Sequence, residues 1–166
     1  MGVFIAIGYV SELAHSKNSI KEVQRSTELL NCEVLENIRD HVTNVERATY
    51  SVAEILESAD AEDLISTGKH EIERILKIEP VVRGGGIWLE RYALSPDKSH
   101  AMTYLTIDST GIIHNMQLKG SDYDYLKKEW YAAAIETGKG KWSIPYFDEG
   151  AGESEMTTFS VPFTTT

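Results

Sequence analysis

Between residues 123 and 163 the chain gathers two of its three tryptophans, four of its eight tyrosines and two of its four prolines, with glycine between them. Tyrosine and tryptophan combine an apolar body with one polar handle. A small-molecule pocket needs an apolar wall and a few placed polar groups. Lys128 offers a cation for a carboxylate, Trp130 an indole N–H and a wall, and Tyr123 and Tyr131 offer hydroxyls. Tyr146 and Asp148 can close the other side. Lys128 and Trp130 are two residues apart, so they share no face of an ideal helix. They converge only where that helix ends or bends. The competing reading is packing alone, with Trp130, Trp142 and Pro145 filling a small core.

Other chemistries find little support. Cys32 sits in the middle of a helical pattern and reads as a small packing residue. There is no Gly-x-Ser-x-Gly elbow. His15, His41, His70, His100 and His114 are scattered without metal-ligand spacing and read as surface or structural residues. Gly84, Gly85 and Gly86 precede a strand and lack the Lys-Ser/Thr of a phosphate loop. The run DEGAGE at 148–153 lacks the ligand spacing of a calcium loop and reads as a solvated turn. No catalytic residue, metal or cofactor is implied.

The chain has 166 residues, enough for one domain, with 42% hydrophobic and 25% charged residues as in ordinary soluble globular proteins. Its net charge of −10 argues against nucleic acid as the main partner, because phosphate binding needs a basic face. A single cysteine rules out an internal disulfide framework. No stretch approaches the ~20 apolar residues of a membrane span. Residues 3–10, VFIAIGYV, are apolar but short. They read either as the clipped end of a membrane helix, which would take in residues 1–15, or as a first turn buried in a dimer contact.

The elements that position the aromatic cluster follow from periodicity. From residue 16 to 59, Ile20, Val23, Leu30, Val34, Ile38, Val42, Val45, Val52, Ile55 and Leu56 recur by threes and fours, with Thr27, Ala48 and Thr49 in the same stripe. That is one amphipathic helix, roughly 60 Å long at ~1.5 Å per residue. A rod of this length needs support along its whole extent. Its C-terminal part is expected on its own domain and its N-terminal part against a second copy. Asn37, His41 and Asn44 near the stripe argue against a strict seam throughout. A second helix is expected from about residue 68 to 78, capped by Ser66 or Thr67 and ended by Pro80. Strands are expected at IWLERYAL, AMTYLTI and IIHNMQL. A helix capped by Ser121 or Asp122 then carries Tyr125, Leu126, Trp130 and Ile135 and ends at Gly138 or Gly140. A fourth strand, EMTTFSVPF, follows a Gly-rich loop. Helices gathered on an antiparallel meander make the class α+β.

Residues 15–163 resemble the Cache sensor domains, in particular the double-Cache type of bacterial receptors. The blocks that carry the resemblance are ILKIEPVVRGGGIWLE, TYLTIDSTGII and KKEWYAAAIETGKGKWSIPYFDEGAGESEMTTFSVPF. The last is the most specific: Trp-Tyr on a helix, then Trp-x-x-Pro-Tyr, an acidic-Gly loop and a Phe-Ser-x-Pro strand. The chain is also similar to the variant found ahead of sporulation-regulator-type serine phosphatases. The resemblance implies a PAS-like antiparallel sheet on a long helix, with residues 16–59 as the helix and 60–166 as the PAS-like module of one domain, 16–166. It implies an extracytoplasmic, periplasmic position in an inner-membrane signalling protein, and a homodimer through the long helix. The ligand would be an amino acid or small organic acid, the output domain a cytoplasmic phosphatase or kinase, and the domain itself no enzyme. Amino-acid-binding members carry Tyr, four residues, Arg, one residue, Trp-Tyr, and a later Asp for the ligand amine. Here Tyr123, Trp130 and Tyr131 match, while Lys128 stands at the Arg position and cannot form the bidentate fork. The family also has a further strand after Ser-x-Pro. Without it the sheet is expected one strand short, completed by a partner or left open.

Overall fold

The computed structural model describes residues 2–94, 96, 97, 99–116, 118 and 123–165, with side chains from residue 19 onward. The chain divides into two compact units, residues 1–40 and 41–166. Helix α1 (Gly2–Glu57) is continuous, so the helical pattern begins well before residue 16. In the first unit the apolar stripe is unpacked: Ile20, Val23, Leu30, Val34 and Ile38 are all more than half exposed. Thr27 belongs to that stripe, and its hydroxyl donates to the Val23 carbonyl at 2.9 Å. No helix among the described residues is long and apolar enough to cross a membrane.

In the second unit the stripe turns inward towards the end of the helix. Val52 and Leu56 enter a core with Leu64, Ile72 and Leu76 of α2 (Leu64–Ile78). α2 starts four residues earlier than expected. Its N-cap is Asp63, which makes no side-chain cap bond. Ser66 is already inside the helix, where its hydroxyl bonds back to the Asp63 carbonyl at 2.8 Å, so neither Ser66 nor Thr67 is the cap.

The sheet is an antiparallel meander, β1 (Gly84–Trp88), β2 (Met102–Ile107) and β3 (Ile113–Met116), in the order β1-β2-β3. β1 and β2 pair with Gly86 opposite Tyr104 and Ile87 opposite Thr103. Alternation then sorts the side chains into two chemistries. One face carries Ile87, Leu89, Leu105, Ile107 and Ile113 into the aliphatic core under α1 and α2. The other carries Trp88, Met102, Tyr104 and Met116 into an aromatic core with Tyr123, Tyr125 and Trp130. Each fully buried leucine or isoleucine contributes about 1.5–3 kcal/mol over its exposed state. The β2–β3 turn is tied by Asp108, which accepts from Thr110 N at 2.9 Å, Ile112 N at 3.0 Å and His114 Nε2 at 2.7 Å. These bonds, that of His114 first, hold the Asp108 carboxyl well below the usual range.

The expected fourth strand is not one strand and does not join this sheet. It is split into β6 (Glu155–Met156) and β7 (Phe159–Ser160). β6 pairs with β5 (Tyr146–Phe147) and β7 with β4 (Lys141–Trp142). The ribbon is fastened to α1 by Trp142, whose Nε1 donates to Glu46 Oε1 at 2.7 Å, and by Tyr50 edge-on to Phe159 at 5.7 Å. Trp142 thus packs on Phe159 and not with Trp130, which corrects the joint-core reading. Glu46→Ala should cost about 1.5–3 kcal/mol in urea denaturation, the worth of one hydrogen bond to a charged group.

Candidate functional site

The expected helix carrying the aromatic residues is interrupted. A single 3-10 turn (Tyr125–Lys127) leads to Lys128, whose backbone is extended, and α3 (Glu129–Thr137) starts after it. The Ser121 and Asp122 caps lie outside the described residues. Lys128 is the N-cap of α3, with φ −73° and ψ 139°, and Gly138 closes the helix in the left-handed region as expected. The break lets Lys128 leave the helical path. Its Nζ lies over the Tyr123 ring, 4.6 Å from the centroid. Trp130, in the first turn of α3, points inward and is buried, whereas Ile135 is half exposed and Ala134 takes the buried position.

Trp130 packs on Trp88 of β1 with ring centroids 4.8 Å apart, and Trp88 on Tyr104 of β2 at 5.7 Å. Tyr131 is half-buried, edge-on to Tyr125 at 5.5 Å and to Trp130 at 6.2 Å. Both the Trp88 and the Trp130 indole N–H are buried and have no hydrogen-bond partner among the described residues. A buried donor left unpaired costs about 1–3 kcal/mol, so two of them in adjacent rings is a notable expense for a core.

Asp148 closes the other side. It follows β5, and its backbone carbonyl accepts from Glu153 N at 2.9 Å, which curls the 148–153 loop back on itself. Its side chain is only 2% exposed, so the run does not begin as a solvated turn. Oδ1 accepts from the Tyr123 hydroxyl at 2.8 Å and Oδ2 from the Gly152 N–H at 2.8 Å. Tyr104 also faces it. Burial, then the Asp148 charge, pushes the Tyr104 hydroxyl above its ordinary pKa, and burial followed by the hydrogen bond to Asp148 does the same to Tyr123. Both therefore remain protonated donors at neutral pH. Tyr146 packs on the cluster, and its hydroxyl pairs with Thr158 Oγ1 at 2.7 Å. Asp148 belongs to none of the ion pairs of the described residues, which join Glu71–Arg74, His100–Asp124, His114–Asp108 and Lys127–Asp124.

All six residues singled out from the sequence thus fall in or against one aromatic cluster. Trp88 and Tyr104 belong to it as well and were missed. Strict alternation along β1 and β2 would have found them, because it sets Trp88 and Tyr104 opposite in facing from Ile87 and Leu105.

The model of the methyl-accepting chemotaxis protein-like first PDC sensor domain matches residues 69–166, more than half of the chain. The extracellular domain of soHK1S-Z6, a protein described as a histidine kinase, is 27% identical with a TM-score of 0.65. That match covers 74% of this chain and 47% of the other. Methyl-accepting chemotaxis protein X, at 21% identity and a TM-score of 0.62, shares the fold over 80% of this chain and 53% of its own. The chain therefore spans about half the length of both solved structures. The curated proteins give no match. With its long helix, antiparallel meander and aromatic second face, the chain belongs to the methyl-accepting chemotaxis protein-like PDC sensor domains.

Proposed function

We propose that the chain senses a small molecule at the aromatic cluster, with Tyr123, Lys128, Trp130, Tyr131, Tyr146 and Asp148 as ligand-binding residues and Trp88 and Tyr104 beside them. The observation that carries this reading is the pair of buried indole donors at Trp88 and Trp130 beside a buried carboxylate that forms no ion pair among the described residues. A core has no use for unmet polar groups, and a ligand with an acceptor satisfies them. The ligand is an amino acid or another small organic acid. The domain is the membrane-distal, double-Cache-type module of an inner-membrane receptor, placed outside the cytoplasmic membrane, with a phosphatase or kinase output elsewhere in the parent protein. Residues 16–59 carry the signal, 60–166 form the sensing module, and 1–15 lead to the membrane. A ligand shifts the receptor only through contacts that differ between its two states. A thermal-shift screen with amino acids and small carboxylates tests the reading. A raised melting temperature that is lost in Trp130→Phe supports it; no shift with any compound contradicts it.

The exposed stripe of the first unit supports a homodimer through α1. Ile20, Thr27 and Val34 alternate with Val23 and Leu30 at heptad spacing, and of the flanking Gln24, Ser26, Asn31 and Glu33 only Glu33 bears a charge. With its hydroxyl bonded to Val23, Thr27 presents a methyl group. Cys32 is exposed and lies off the stripe. Under mild oxidation Thr27→Cys should form a covalent dimer while wild-type Cys32 does not. Cross-linking of Cys32 alone would place the contact on another face.

A further inference from the structure

We propose that a second site, on the helix side of the sheet, takes a linear organic dianion with an amide between its two carboxylates. The site is separate from the aromatic cluster and does not rest on the sensor reading. α2 packs over β1 and β2, and β3 is an outer strand of the meander. The helix thus covers the sheet incompletely. A cavity of about 250 Å³ opens between α2 and the β2–β3 hairpin, with Leu105, Ile113 and Asn115 in its lining. Leu105 is fully buried and Ile113 packs against the aliphatic core, so the floor is apolar. Gly111, in the β2–β3 turn, holds φ 85° and presents no side chain to the cavity. This volume lies below the ~300–1,000 Å³ of common ligand pockets, so the occupant is small.

The wall is charged. Lys69, Glu73 and Lys77 line the cavity at steps of four along one face of α2. That spacing ordinarily pairs lysine with glutamate, yet none of the three joins an ion pair among the described residues. On the same helix Glu71 and Arg74 do pair, at 2.8 Å. Lys69 and Glu73 are half-buried and Lys77 is exposed. Each ammonium offers donors and no acceptor, and the Glu73 carboxylate offers acceptors only. Two anionic ends with a donor between them answer this order. The lysines stand ~12 Å apart along the helix axis at ~1.5 Å per residue, and their flexible stems close the remaining distance to a linear ligand. Its amide N–H donates to Glu73, its amide carbonyl accepts from the Asn115 side chain, and its methylenes lie on Leu105 and Ile113. A plain hydrocarbon link would leave Glu73 facing two carboxylates with no compensating donor.

Isothermal titration of the whole chain tests this with N-succinylglycine, with pimelate as a dianion of the same chain length lacking the amide, and with heptanoate as the corresponding monoanion. N-succinylglycine should bind about tenfold more tightly than pimelate, and heptanoate should bind weakest, each step being the worth of one hydrogen bond to a charged group. Lys69→Met and Lys77→Met should each weaken N-succinylglycine binding about tenfold. Glu73→Ala should tighten pimelate binding and erase the preference for the amide. Should a variant not fold, the ranking in the wild type decides. Binding of neither dianion, heptanoate or pimelate as tight as N-succinylglycine, or binding unchanged in both lysine variants would each overturn the inference. Trp130→Phe separates the two sites and should leave N-succinylglycine binding unchanged. Loss of binding in that variant would move the ligand to the aromatic cluster, which overturns this inference and leaves the sensor reading standing.

Discussion

Gly86→Ala is expected to destabilise the fold by about 3 kcal/mol, at the upper end of overpacking costs. A methyl at Gly86 would lie 2.4 Å from the Thr103 carbonyl oxygen and within 2.8 Å of the Trp88 ring. The carbonyl is held in the β1–β2 ladder and cannot retreat. The Trp88 ring lies across the space that a side chain at 86 would fill, so the substitution also pushes Trp88 away from Trp130 and Tyr104. Against a typical domain stability of about 5–15 kcal/mol this is a large share. Urea denaturation should show a lower midpoint with an unchanged slope, and near-ultraviolet circular dichroism should lose tryptophan signal. A loss below about 0.5 kcal/mol, as at an ordinary surface position, would contradict the close approach.

Asp148→Ala is expected to cost about 2–3 kcal/mol. It strands the Tyr123 hydroxyl and the Gly152 N–H in a buried site and opens a small void. Relief of the buried charge returns part of that loss. Tyr123→Phe, which removes one donor and keeps the ring, should cost only about 1 kcal/mol. Equal losses in the two variants would mean that Asp148 contributes nothing beyond its bond to Tyr123.

Much of this architecture was legible in the chain. The spacing of Ile20 through Leu56 marks one long helix, and three alternating runs around Asp108–Gly111 mark the meander. What escaped is instructive. The break at Lys128 is set by tertiary contacts, the ammonium over Tyr123 and Trp130 turned onto Trp88, and local propensity does not register it. The run EMTTFSVPF has strand composition along its length. Which neighbour each part pairs with depends on the turns at residues 143–145 and 148–154, so it divides between β4 and β5. The acidic loop looked solvated because five of its neighbours are small or charged. Only the fold brings the Tyr123 hydroxyl and the Gly152 amide to Asp148. Trp88 was hidden behind the glycine run, of which Gly86 makes room for its ring.

The central claim is that the unmet indole donors of Trp88 and Trp130 are met by a ligand. The chain has only three tryptophans, so their indole N–H signals are countable in a two-dimensional 1H–15N spectrum. Trp142, already bonded to Glu46, serves as the internal reference. On titration with a compound that raises the melting temperature of the wild type and not of Trp130→Phe, the Trp88 and Trp130 indole signals should move downfield as they gain an acceptor, with Trp142 unmoved. Such a compound leaving those two signals in place would contradict the claim and put the binding site elsewhere.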